Sequence, residues 1–263
     1  MPLLKTPAIM LKSRKWRDAD RLVTVYTLRF GKIRGVARGA RRMKSRFGSA
    51  LEPFVHADLN LFQKANDPVY RITQADIREP FTELREDLEL MAAAGRLVNL
   101  VAALTGEGDA GSKIFETLLT GLRAFESGSD PTLTSLVFQI RLLRQAGFAP
   151  QLHHCAACGR AVEKVGGSKG YPFSPQSGGV VCDACAPRYQ DRCLPLSPAG
   201  LSLVHHALEW MPAALTRLKV SPFVREEVQA AIEAYTTVVA GRQLPPTDFL
   251  VAETSAPRYS VTK

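Results

Sequence analysis

Four cysteines in two close pairs, Cys155-Ala156-Ala157-Cys158 and Cys182-Asp183-Ala184-Cys185, constrain this chain more than any other feature of its sequence. Each C-x2-C pair makes a tight knuckle whose sulfurs point to one place, so any fold must bring together two segments separated by residues 159–181. Gly159, Gly166, Gly167, Gly170, Gly178 and Gly179 in and around that stretch suit a hairpin. Four thiolates at this spacing are the donor set of a closed, tetrahedral, structural Zn2+ site, expected here on Cys155, Cys158, Cys182 and Cys185.

Other chemistries of paired cysteines fit less well. A redox C-x-x-C is disfavoured by the second pair and by the lack of a βαβ context. A catalytic zinc keeps one coordination position open, with three protein ligands. The zinc deaminase pattern is missing, because Cys182 follows Val181 and no histidine is followed two residues on by Glu. His153 and His154 are alternative donors, expected to lie behind the ligands or in solvent. The fifth cysteine, Cys193, is expected to be a small buried residue.

Charge marks a second region. The chain carries a formal +9, but residues 1–50 hold fourteen Lys/Arg against Asp18 and Asp20, a local +12 that leaves −3 for the rest. The densest stretch, 31–46, contains Lys32, Arg34, Arg38, Arg41, Arg42, Lys44 and Arg46 with no acid, and Gly31, Gly35 and Gly39 recur every four residues. One-sided basicity of this kind is the electrostatic footprint of a phosphate-backbone binder, although a solvated basic loop has the same composition.

Periodicity divides the chain. Up to about residue 76 it reads as five short strands: Ala8–Leu11, Leu22–Leu28, Lys32–Arg38, Pro53–Phe62 and Val69–Asp76, the pattern of a small β-barrel. In the third, Lys32, Arg34, Val36 and Arg38 alternate with Ile33, Gly35 and Ala37, placing three cations on one face. Gly39–Ala50 is expected to be a long, basic, flexible connection.

From Glu79-Pro80 the period becomes helical. Phe81–Leu104, Ser112–Phe125 and Pro131–Ala146 are expected helices, the last started by Asp130-Pro131, and Ser197-Pro198 and Ser221-Pro222 start two more. The tail from Arg242 reads as irregular. The expected architecture is therefore α+β and multi-domain: a five-stranded barrel at 1–79, a mainly helical domain at 80–149 and 188–263, and a zinc-binding insert at 150–187. No apolar run reaches membrane-spanning length and the N-terminus lacks a signal-peptide core, so a cytoplasmic protein is expected. No Walker, dinucleotide-binding or nucleophile-elbow motif is present, and a catalytic role is not expected.

This order of parts resembles the RecO family of bacterial DNA repair proteins, the recombination mediators, in its zinc-bearing form. The likeness rests on Asp18–Thr27, Gly31–Arg42, Leu51-Glu52-Pro53-Phe54, Gly147-Phe148-Ala149-Pro150 and the cysteine pairs. It implies that the first domain is an OB-fold and that the protein binds single- and double-stranded DNA and anneals complementary strands. It further implies cooperation with RecR and the single-strand-binding protein in loading RecA, and a place at the nucleoid. The matching cations, Lys32, Arg34, Arg38, Arg41, Arg42, Lys44 and Arg46, would neutralise phosphates. Trp16, Tyr26, Phe30 and Phe47 are the nearby aromatics, with Tyr26 expected to be buried and Phe47 undecided. An RNA- or ribosome-associated OB/zinc adaptor is the alternative from another class.

Overall fold

The computed structural model describes residues 3–63, 67–162, 170–209 and 219–247. The first five strands are β1 (Leu4–Trp16), β2 (Asp20–Thr27), β3 (Gly31–Ala37), β4 (His56–Phe62) and β5 (Tyr70–Glu79), closed into a barrel in the order β1-β2-β3-β5-β4. All neighbours are antiparallel except β3 and β5, whose parallel pairing of Gly35 with Tyr70 closes the ring. β1 pairs with both β2 and β4, and a register shift between Met10 and Lys12 lets it bend around the barrel. The result is the expected OB-like barrel, filled by Met10, Val23, Val25, Ile33, Leu59, Leu61 and Ile72.

Strand β3 alternates as its sequence requires, with Ile33, Gly35 and Ala37 buried and Lys32, Arg34 and Val36 partly exposed. Gly35 lets β3 pack closely on Ile72, because a Cβ there would stand 2.8 Å from Ile72 Cγ1 and force that side chain to shift. Gly31 combines φ +60° with a close approach, since its Cβ would fall 2.0 Å from the Asp109 carbonyl oxygen of the helical part. The two glycines thus serve barrel closure and the seam with the helical part.

The β3–β4 connection differs from the flexible loop expected of it. Residues 39–55 fold into successive turns closed by Arg42 N→Gly39 O, Ser45 N→Arg42 O, Ala50 N→Phe47 O and Glu52 N→Ser49 O hydrogen bonds. Ala40, Phe47, Ala50 and Leu51 are buried against the barrel interior. The apolar residues spaced through this basic segment seat it as a lid on the barrel end, which composition alone does not reveal.

The helical part comprises α1 (Glu83–Glu86), α2 (Leu88–Leu104), α3 (Ser112–Glu126), α4 (Pro131–Gln145), α5 (Pro198–Glu209) and α6 (Pro222–Ala240). The single helix expected over Phe81–Leu104 is broken at Asp87, which adopts an extended conformation and caps α2 by accepting from Glu89 N and Leu90 N. The break leaves Leu88, the first residue of α2, exposed. Asp130 and Ser221 cap α4 and α6 as their sequence signals require, and α6 ends at Gly241 in the left-handed region. Beyond it, Asn99 Nδ2 donates to the Pro245 and Pro246 carbonyls, so the first part of the tail is anchored; residues 248–263 lie outside the described residues.

Two β-hairpin strands, β6 (Tyr171–Ser174) and β7 (Gly179–Val180), and β8 (Leu194–Leu196) form a small sheet in the order β7-β6-β8. Tyr171, Phe173, Val180 and Leu196 join the same core as α2–α6, together with Ile9, Leu11, Tyr26 and Phe54 from the barrel. The barrel, helices and small sheet therefore share packing.

Candidate nucleic-acid interface and metal centre

The seven cations singled out on charge occupy two environments. Arg38, Arg41, Arg42, Lys44 and Arg46 are exposed around the turns following β3. Lys32 and Arg34 are half-buried and engaged with the helical part: Lys32 Nζ donates to the Ala102 carbonyl in the last turn of α2 at 2.6 Å, and Arg34 Nε meets Glu107 Oε1 of the α2–α3 loop at 2.6 Å. The Gly108 amide donates to the Lys32 carbonyl at 2.9 Å, so the edge of β3 is also a domain seam.

The exposed turns are held at their base. Gly39 N donates to Asp20 Oδ1 at the start of β2 at 2.8 Å, and Arg41 N to Ala19 O at 2.9 Å and Arg41 Nη1 to Asp18 O at 2.8 Å on the β1–β2 turn. Asp20 is thus a structural acceptor for the backbone that follows β3. The Arg46 guanidinium lies 5.2 Å over the Phe47 ring.

Beside this lid runs a groove of about 290 Å3 on the outer face of β1, β2 and β3. Arg14, Arg17, Arg34, Arg38 and Arg71 contribute cations to it, Trp16 and Tyr70 aromatic surface, and Asp67 and Asp20 acidic groups. The Arg14 guanidinium stands 5.7 Å from the Trp16 ring centroid. The groove lies between the β1–β2 and β4–β5 connections, where OB-folds take oligonucleotides. Arg14, Arg17, Tyr70 and Arg71 were missed by the sequence reading, although Arg14 and Trp16 are two residues apart on one strand and so share a face. Tyr26 is fully buried, but in the seam and not the barrel centre, its hydroxyl donating toward Asp109 O and Gly111 O at 3.3 and 3.4 Å. Phe47 is buried, and Trp16 and Phe30 are half-exposed.

Across the seam, Glu79 at the end of β5 accepts from Arg123 Nε and Nη2 at 2.6 and 2.8 Å and from His56 Nδ1 at 2.7 Å. The Arg123 hydrogen bonds, helped by His56 and opposed by burial, hold the Glu79 carboxyl down at about 2. His56 packs edge-on against Phe115, joining the barrel to α3.

The two cysteine knuckles meet as the spacing requires. The Sγ atoms of Cys155, Cys158, Cys182 and Cys185 lie within 4.8 Å of one another, and none is joined in a disulfide. Cys158 Sγ and Cys182 Sγ are 3.8 Å apart, far beyond an S–S bond of about 2 Å. A tetrahedral ion bonded to four sulfurs at about 2.3 Å sets neighbouring sulfurs about 3.8 Å apart, so the donor set fits such an ion. Burial opposes ionisation of Cys155, but amides of Cys182, Cys158 and Ala157 outweigh it and bring the thiol down to about 6; the Cys182 and Cys158 sulfurs push Cys185 up to about 12. Four crowded thiols cannot all ionise without a cation among them. His153 and His154 are exposed and outside the sulfur cluster. Cys193 is only half-buried, packed beside the cluster rather than deep in the core.

Comparison with known proteins adds an independent line. Residues 1–81 match the family model described as Recombination protein O N terminal, and residues 85–247 match Recombination protein O C terminal. The chain is 31% identical to the DNA repair protein RecO of Desulforamulus reducens over 250 residues, covering 95% of this chain and 94% of that one. It is 33% identical to the same-named protein of Symbiobacterium thermophilum (95% and 97% covered) and 36% identical to that of a Roseiflexus species (88% and 79%).

Proposed function

This chain belongs to the recombination protein O family, and from that premise we propose that it is a non-catalytic DNA repair and recombination mediator. It binds single- and double-stranded DNA without reading sequence, anneals complementary strands, and with RecR and the single-strand-binding protein helps load RecA onto coated single strands. The observation that carries the DNA-binding reading is a groove lined by Arg14, Arg17, Arg34, Arg38 and Arg71 with Trp16 and Tyr70, which meets at Arg38 the lid on which Arg41, Arg42, Lys44 and Arg46 are exposed. Cations along such a path neutralise phosphates and release counterions, which gives affinity independent of sequence. Trp16 and Tyr70 offer flat surfaces on which any base can stack.

Annealing needs no catalytic group in this scheme. Two strands on one cationic surface repel each other less, and their bases pair. Cys155, Cys158, Cys182 and Cys185 would hold one structural Zn2+, which would cross-link the knuckles at 155–158 and 182–185 and supply no reaction chemistry. Among the described residues no helix is long and apolar enough to cross a membrane.

The test is anisotropy of labelled, unrelated single strands across a salt series, with Arg38→Glu/Arg41→Glu beside the wild type. Losing two phosphate contacts should flatten the log–log salt slope by about 1.4 on single strands. An unchanged slope and affinity overturn the assignment of these residues. Annealing of complementary strands precoated with single-strand-binding protein, run in parallel with matched RNA, separates the mediator from an RNA adaptor.

A further inference from the structure

One apolar side chain in the basic lid is used by nothing in the fold. Met43 has a relative exposure of 105%, the highest among the exposed large hydrophobic residues, and it stands between Arg42 and Lys44. The backbone beneath it is closed by two turns, Arg42 N→Gly39 O at 3.1 Å and Ser45 N→Arg42 O at 2.9 Å. Both legs of the segment are anchored in the barrel, Ala40 on one side and Phe47 on the other, at 9% and 3% exposure. Met43 is therefore presented to solvent on a seated support, within a segment whose cations Arg41, Arg42, Lys44 and Arg46 are also exposed.

That combination has a specific chemical meaning. Cations on both sides would grip consecutive phosphates of one strand, which brings the bases between them to the apex. A thioether side chain is unbranched and polarisable, makes favourable contacts with aromatic rings, and belongs to the set of apolar residues that enter between base steps. We propose that Met43 is a base-contacting wedge that inserts between unstacked bases of a strand held by the surrounding cations. It adds a preference for strands with accessible bases to a surface whose charge alone cannot tell a base from its absence. The inference rests on the DNA-binding reading above, and it makes the lid a second contact apart from the groove containing Trp16 and Tyr70.

The test uses the full chain and two probes, a labelled oligothymidine and an oligonucleotide of equal length made of abasic sites, over a salt series. Met43→Ala should lower affinity for the base-bearing strand by about two- to tenfold, leave affinity for the abasic strand unchanged and leave the salt slope unchanged. Met43→Leu, which keeps an apolar wedge without the sulfur, should restore part of the loss. Equal affinities of wild type and Met43→Ala for oligothymidine overturn the wedge while leaving the phosphate-binding reading intact. A parallel loss on both probes also overturns it, because it assigns Met43 to the shape of the lid. Absence of salt-dependent binding by the wild type to either probe overturns the DNA-binding reading itself, and the wedge with it.

Discussion

Arg34 is committed to Glu107 within the protein, so neutralising Glu107 should strengthen DNA binding. The Arg34 Nε–Glu107 Oε1 distance is 2.6 Å, and the side chains are 25% and 48% exposed. A pair this open to solvent is worth about 0.2–1 kcal/mol. In Glu107→Gln that competition is removed, and if all of it reaches the DNA complex the affinity rises about 1.4- to 5-fold. One phosphate contact newly available to Arg34 should steepen the salt slope by about 0.7 on single strands and about 0.9 on duplex. The same substitution should lower Tm by no more than about 4 °C, because the pair is weak and the chain long. Anisotropy titrations at several salt concentrations, with a thermal melt of each protein, read all three quantities. Weaker binding by Glu107→Gln, or unchanged affinity and slope, would refute the reasoning that Arg34 is a phosphate ligand held in check by the helical part.

Two further outcomes follow from the seam and the metal centre. The Glu79 carboxyl is depressed from 4.5 to about 2, so its stabilising effect is complete above its unfolded value and is lost as pH falls from about 4.5 toward 2. Because Arg123 is 55% exposed, screening limits the pair to about 1 kcal/mol; Arg123→Ala should melt about 2–4 °C lower at pH 7, with the deficit shrinking by pH 3, and a deficit equal at both pH values counts against the account. Cys155→Ser, or stripping by a strong chelator, should remove one metal ion per chain and a stabilisation of about 4 kcal/mol where free metal had been 1,000 times its Kd; retention of both metal and Tm in Cys155→Ser rejects the four-sulfur site.

Much of the fold is legible because its signals are local. Asp130-Pro131 and Ser221-Pro222 satisfy amides within their own first turn, so α4 and α6 begin where a reader of the chain expects them. The alternation in Lys32–Arg38 needs only the period of a strand. The same kind of signal was available at Asp87, a capping residue, but the helical spacing of apolar residues on both sides masked it. The lid was harder to read, because its order comes from burying Ala40, Phe47, Ala50 and Leu51 in a barrel assembled from strands on both sides of it.

The sequence by itself determined the five-strand pattern, the starts of α3, α4, α5 and α6, the two cysteine pairs and the concentration of cations in residues 31–46. Each of these depends on residue type and on spacing within a few turns or strands. Tertiary structure decided which cations face solvent and which are committed across the seam: the Lys32–Ala102 and Arg34–Glu107 contacts join positions some seventy residues apart. It also built the groove from Arg14 and Trp16 of β1, Arg34 and Arg38 at β3, and Tyr70 and Arg71 of β5. Neither outcome follows from composition, since only barrel closure and the packing of the α2–α3 loop against β3 set those distances.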